Sequence, residues 1–348
     1  MTPPVDYARV RQAAAALLRG GIVGFPTETV YGLGADADQV RAVAAIFAAK
    51  GRPPSHPLIV HLAQAAALED WARAVPPAAY RLAELFWPGP LTLVLPRQPR
   101  AHDVVTGGQD SVGLRCPAHP WAQALLQALC SARSDASAAI AAPSANRYGR
   151  ISPTRAAHVL ADLGEKPQGA LDYLLDGGDC TLGIESTIVD FASGSARILR
   201  PGSIHEDQLG EALRPLGVSV THAGADALAP RTSGRVAGHY APRKPLELVP
   251  PEHLARRVQA LQGTALAVLA PASVMPGLLG HALALFLPAE DTAPAYAHAL
   301  YASLRRLDES PAQRLLVALP PADVPWHAIH DRLQRAAAGS EDSLAQAD

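Results

Sequence analysis

Lysine and cysteine are scarce in this 348-residue chain: lysine occurs only at Lys50, Lys166 and Lys244, and cysteine only at Cys116, Cys130 and Cys180. Three thiols without a CxxC spacing argue against a disulfide framework and against a cysteine-built structural zinc, and they suit the reducing cytoplasm. Aromatic residues make up 5% of the chain, so no stacking platform for single-stranded nucleic acid stands out. An excess of one charge is also missing. The net charge is −2, and through residue 205 there are 18 Lys+Arg against 17 Asp+Glu. Neither half is a basic module that would attract nucleic acid or an anionic membrane. The most apolar stretch, "GTALAVLAPASVMPGLLGHALALFLPA", is interrupted by Pro271, Pro276 and His281, which predicts two buried strands instead of a membrane span. The opening "MTPPVDYARVRQAAAALLRGG" reads as a charged amphipathic helix and not as a secretory signal. No GxxxxGK[ST] occurs, which removes P-loop chemistry.

What is present fits two domains, since 49% apolar residues can fill two cores. Periodicity predicts helix 7–19, strand 21–26, helix 39–50, strand 57–62, helices within 65–86 and strand 91–96. Strand 111–115, helices 119–131 and 153–163, strands near 171–175, 185–191 and 196–200, a helix near 206–215 and a short strand follow. This order predicts an α/β domain over 1–220, a twisted open mixed sheet covered by helices. Residues 221–245, "THAGADALAPRTSGRVAGHYAPRKP", lack periodicity and read as an interdomain linker or lid. Strands 246–249, 264–269, 283–287 and 314–319 alternate with helices 252–262, 293–306 and 326–338, a smaller Rossmann-like α/β domain over 246–340. Without a GxGxxG turn it is expected to bind no dinucleotide. Residues 341–348 read as a frayed tail.

The polar turns carry the chemistry. In "GFPTETVYGLG" (24–34), read as a strand-to-helix turn, Gly32 and Gly34 allow positive φ or close backbone approach to a ligand. Thr27, Thr29 and Tyr31 either cap their own backbone or offer hydroxyls to an amino acid or phosphate. In "AAKGRPPSHPLIVHL", a helix with Val40, Val43 and Phe47 on one face ends at Lys50 and Gly51. A cation and a glycine suit any helix end, but Arg52 is not needed for that. Lys50 and Arg52 together can aim two cations at a triphosphate. His61 is either a satisfied strand-end histidine or a ligand. Arg115, closing "SVGLR", suits a bidentate grip on a carboxylate or a surface salt bridge. "APSANRYGRISPT" offers Ser144 and Asn146 on a reachable backbone, while Ser152 before Pro153 has the signature of a helix N-cap. Ser186 and Arg200 stand at the edges of consecutive strands. Five such turns without paired carboxylates describe a site that holds anions instead of running proton chemistry, hence phosphoryl or nucleotidyl transfer. A sugar-phosphate synthase should show acidic metal ligands here, and none is evident; an RNA-binding module should show a basic half or stacking aromatics.

"GGIVGFPTETVYGLGADA", "KGRP", "HPLIVH", "WPGPLTLVL", "VGLRCPAHP", "APSAN" and "ESTIVD…LRPGSI", in this order, resemble the YrdC-like threonylcarbamoyl-AMP synthases. "SGRVAGHYAP" with a further small domain resembles their long, two-domain version. The resemblance implies an enzyme that makes L-threonylcarbamoyl-AMP and pyrophosphate from L-threonine, bicarbonate and ATP, assisted by Mg²⁺. A partner transferase system would use the product to modify the adenosine beside the anticodon of tRNA, and a transient tRNA contact is compatible with this. Carried over, the family pattern assigns Thr29, His61, Arg115, Ser186 and the backbone at Ala142 to threonine. It assigns Arg52, His56, Ser111, Ser144, Ser152, Arg200 and Tyr240 to ATP. Lys50, Arg52, Ser144 and Asn146 form the KxR and SxN catalytic pair. Two departures stand out: His56 replaces the usual asparagine, and "CSARSDASAA" is longer than usual.

Overall fold

A computed structural model describes residues 2–224, 229–234, 238–278, 281 and 283–345. The chain forms two compact units, one of residues 1–148 and 153–235, the other of residues 149–152 and 236–348.

In the first unit ten strands, β1 (Val23–Phe25), β2 (Gly32–Asp36), β3 (Ile59–His61), β4 (Leu91–Pro96), β5 (Ser111–Arg115), β6 (Ile140–Ala142), β7 (Tyr173–Leu174), β8 (Thr187–Asp190), β9 (Ala196–Arg200) and β10 (Val220–His222), form one sheet. Its order is β10-β9-β8-β4-β5-β3-β6-β2-β1-β7. Pairing is mixed: β3 runs parallel to β5 and antiparallel to β6. The helices are α1 (Tyr7–Leu18), α2 (Val40–Lys50), α3 (Leu68–Trp71), α4 (Pro77–Phe86), α5 (Asp103–Thr106), α6 (Pro120–Arg133), α7 (Ala156–Asp162) and α8 (Glu206–Leu213). Val10 and Leu17 of α1 pack with Leu125 and Leu126 of α6 over Phe25 and Ile140. A second core gathers Val43, Ile46 and Phe47 of α2 with Trp71, Leu82, Leu93 and Leu114. Ile46 thus completes the buried face of α2, and Val40, expected on it, is 47% exposed.

Four differences from the sequence reading bear on the site. Residues 24–34 are not a strand-to-helix turn. β1 and β2 pair antiparallel, Val23 opposite Gly34 and Phe25 opposite Gly32, so the motif is a hairpin. Gly32 and Gly34 do not have positive φ. Their missing side chains make room for packing: a Cβ at Gly34 would sit 2.6 Å from Ile140 Cγ2 and 2.8 Å from Phe25 Cε1. Gly34→Ala is therefore expected to cost about 1–3 kcal/mol by overpacking, read as a lower urea midpoint at unchanged slope. Strand β6 was not foreseen, because three consecutive apolar residues leave no alternation to detect. Finally, α7 begins after Arg155, so Ser152 does not cap it.

In the second unit β11 (Leu246–Val249), β12 (Leu266–Pro271), β13 (Leu283–Ala289) and β14 (Arg314–Ala318) form a wholly parallel sheet in the order β11-β14-β12-β13. α9 (Leu254–Ala260), α10 (Ala293–Glu309) and α11 (His327–Ala345) accompany it. α11 extends into the segment expected to fray. Residues 149–152 join this unit through the bridge of Arg150 with Ala241, the bond from Ala241 N to Gly149 O (2.8 Å), and the bond from Arg305 Nη2 to Ile151 O (2.6 Å). Of the expected linker, residues 225–228 and 235–237 lie outside the described residues.

Candidate active site

The site of the first unit is assembled from strand ends. His61 and Arg115 end β3 and β5 and are register partners. Arg115 donates from Nη1 to Thr29 Oγ1 (2.9 Å), from Nη2 to Glu28 Oε1 (2.7 Å) and from Nε to Gly89 O (3.4 Å). Glu28 Oε2 accepts from Ala118 N at 3.1 Å. With side chains 5% and 9% exposed, the Arg115–Glu28 pair is buried and is not a surface salt bridge. Of the two readings of the hairpin threonines, the backbone cap holds for Thr27. Thr27 Oγ1 donates to Val30 O (2.7 Å) and accepts from the Val30 amide (3.2 Å), fixing the turn. Thr29 presents its hydroxyl to Arg115. Ala142 ends β6 opposite Ile59.

His61 is buried, with Nδ1 3.2 Å from Ile59 O. Burial, and then the charge of Arg115, push its pKa down from 6.5 to about 3. Between those two values the unfolded chain takes up a proton that the folded protein refuses. Stability from this group is therefore lost as pH falls through that window, by up to about 1.4 kcal/mol per pH unit. His61→Gln should lose less stability than wild type between pH 7 and pH 5 in urea titrations; equal losses would refute the assignment.

The cationic end begins at the α2 C-terminus. Gly51 adopts φ 64°, the left-handed turn that only glycine takes easily. On either side of it, Lys50 and Arg52 are both buried. Lys50 Nζ donates to Ser144 O at 2.5 Å and to Asn146 O, and Tyr148 N donates to Lys50 O at 2.9 Å. The lysine thus ties the KxR turn to the SxN loop. Ser144 also bridges to Gly32 of the hairpin. Burial, and then the neighbouring Arg52 charge, hold the Lys50 pKa well below its usual value.

Arg52 Nη2 donates to Pro57 O (3.1 Å) and Ser233 Oγ (3.0 Å). From β9, Arg200 donates to Ser186 O (2.9 Å) and Ser186 Oγ (3.0 Å) through Nη2, and to Ser233 O (3.1 Å) through Nη1. Ser186 Oγ lies 2.7 Å from Thr92 Oγ1. Two guanidinium groups therefore converge on Ser233. The segment carrying it is anchored where Arg231 N donates to Gln109 Oε1 (2.7 Å) and Arg231 Nη2 to Gly107 O (2.9 Å). Beneath it, Ser111, Gln109, Thr92 and Ile188 line a hollow of about 20 Å³. His56 is near Tyr148 Oη (3.4 Å), and burial, then Arg52 and Arg231, depress its pKa. This histidine is thus neutral at neutral pH.

Ser152 and Tyr240 belong to the second unit. Tyr240 is buried there at φ 64°, stacked on Tyr301 (centroids 5.6 Å), with Arg332 over its ring at 5.4 Å. The other residues expected in the site lie in the first unit. Glu28, Thr92, Gln109 and Ser233 were not foreseen as site residues. The one signal for Glu28 was an acidic residue between two threonines in a turn whose flanks are apolar.

Fold and site define an α/β protein with buried cations and hydroxyls gathered at strand ends, beside an arginine paired with a buried glutamate. The family model described as "Telomere recombination" matches residues 15–202, and that described as "Threonylcarbamoyl-AMP synthase, C-terminal domain" matches residues 204–338. The chain belongs to the Sua5/YciO/YrdC family. It is 39% identical to the threonylcarbamoyl-AMP synthase of Pyrococcus abyssi over 74% of this chain and 73% of that protein. It is 41% identical to that of Bacillus subtilis, covering 73% and 71% respectively. The crystal structure of P. abyssi Sua5 complexed with L-threonine superposes with a TM-score of 0.85 at 33% identity, covering 97% of this chain and 96% of that one. Among the described residues no helix is long and apolar enough to cross a membrane.

Proposed function

We propose that this chain joins L-threonine, bicarbonate and ATP into L-threonylcarbamoyl-AMP, releasing pyrophosphate, in the cytoplasm. The observation that carries the reading is the join between the two ends of the site: Ser186, on the threonine side, is held by Arg200, which shares Ser233 with Arg52 on the cationic side. An amino acid whose carboxylate meets Arg115 would lie beside a triphosphate whose oxygens meet Arg52 and Arg200.

The threonine amine condenses with bicarbonate, losing water, to give a carbamate. A carbamate oxygen then attacks the α-phosphorus as the bond to pyrophosphate breaks. The protein's part is positioning and charge: Thr29 and Arg115 orient the amino acid, and Arg52 and Arg200 offset charge on the phosphoryl oxygens. Lys50 holds the Ser144–Asn146 loop against the KxR turn. Among the described residues no cluster of three His, Cys, Asp or Glu could hold a metal. The cationic donor set therefore fits Mg²⁺ carried in by the triphosphate, where it would offset phosphate charge. The mixed anhydride would pass to a transferase that modifies the adenosine beside the tRNA anticodon.

Pyrophosphate release by the purified protein should require threonine and bicarbonate together. Release at the same rate without threonine would overturn the proposal.

A further inference from the structure

Two full charges are buried at the carboxylate end of the site, Arg115 and Glu28, with Nη2 and Oε1 2.7 Å apart. The histidines beside them add none at neutral pH. Burial and Arg115 keep His61 neutral, and burial keeps His119 neutral against the opposing pull of Glu28. This end of the site is therefore electrically balanced before any ligand arrives. Three bonds use one N–H on each Arg115 nitrogen, on Gly89 O, Thr29 Oγ1 and Glu28 Oε1. A guanidinium has five, so one N–H on each terminal nitrogen is left for a ligand carboxylate. Glu28 cannot withdraw when that carboxylate binds. Its Oε2 is tied to Ala118 N, and its backbone oxygen accepts from Leu182 N at 2.7 Å.

We infer that Glu28 sets the charge class of the substrate, making the site select a zwitterionic amino acid over an amine-free hydroxy acid of the same shape. A hydroxy acid brings one uncompensated negative charge next to a carboxylate already paired with Arg115. A zwitterion brings none. Discrimination through the ammonium also matches the chemistry, since the amine is the nucleophile and a ligand without it would block the site. The inference rests on the threonine reading above. Glu28 also orients Arg115, so its role in selectivity must be separated from its role in positioning.

Isothermal titration of L-threonine and of 3-hydroxybutyrate into the wild-type protein and Glu28→Gln makes that separation. Wild type should prefer threonine, and in Glu28→Gln the ratio of the two dissociation constants should shrink about tenfold or more. A purely positional role would weaken both ligands alike and leave the ratio unchanged, which would overturn the inference. Should the variant fail to fold, the wild-type titrations still decide. A hydroxy acid that binds as tightly as threonine refutes the selectivity, while weaker binding supports it. Absence of threonine binding by wild type would instead overturn the functional reading itself, and this inference with it.

Discussion

Arg52→Ala is expected to leave a folded protein whose threonine-dependent pyrophosphate release falls about 10²- to 10³-fold, equivalent to about 2.7–4 kcal/mol of lost transition-state stabilisation. Arg52 reaches Ser233 and Pro57 through one terminal nitrogen, and both of these acceptors are uncharged. Arg52→Lys should recover only part of the rate, because a point charge cannot reproduce a planar fork. Lys50→Ala should be as inactive for a different reason. Lys50 saturates two carbonyls of the Ser144–Asn146 loop, so its removal should also lower the thermal midpoint, whereas Arg52→Ala should not. Rates and melting curves measured side by side decide this. Wild-type turnover in either variant would remove these residues from the catalytic set.

The largest effect on stability is expected from Arg115→Ala. It would strand the Glu28 carboxylate in a region where that side chain is 9% exposed, and breaking a buried pair from one side typically costs about 3–5 kcal/mol. Threonine binding should vanish as well. Adding Glu28→Gln to Arg115→Ala should return much of the stability, since no bare charge is left, but none of the binding. Chemical denaturation of the single and double variants, with threonine titrations, tests both halves. A double variant no more stable than Arg115→Ala would show that charge burial is not the source of the loss.

The helices α1, α2 and α6 and the long strands β4 and β5 were legible in the sequence because each is long enough to show its period. The hairpin was not. Its second strand, "GLGAD", contains two glycines whose purpose is to admit Phe25 and Ile140, and such a strand has no pattern of its own to read. The candidate site was legible where side chains are chemically odd for their place, as with Arg115 ending an apolar strand and Lys50 in an arginine-rich chain. The pairings were not, because they depend on distance in space. Glu28 and Arg115 are 87 residues apart in sequence, and Arg52 and Ser233 are 181 apart. Resemblance to a family supplied the roles, and the fold supplied the partners, including the division of labour between Thr27 and Thr29.

Residues 149–152 leave the first unit and return to it at Pro153, having lent four residues to the second. Chain continuity between the units is thus threefold: at 148/149, at 152/153 and at 235/236. Cutting the protein after residue 235 would not detach an appendage cleanly. It would deprive Gly149 and Ile151 of their Ala241 and Arg305 donors only a few positions after Asn146. The excised half would in turn lose the short peptide that Arg305 and Ala241 grip. Neither fragment would be a fair stand-in for its share of the intact molecule, and activity lost on truncation would report a frayed loop beside the SxN residues as much as any missing contribution from the second unit.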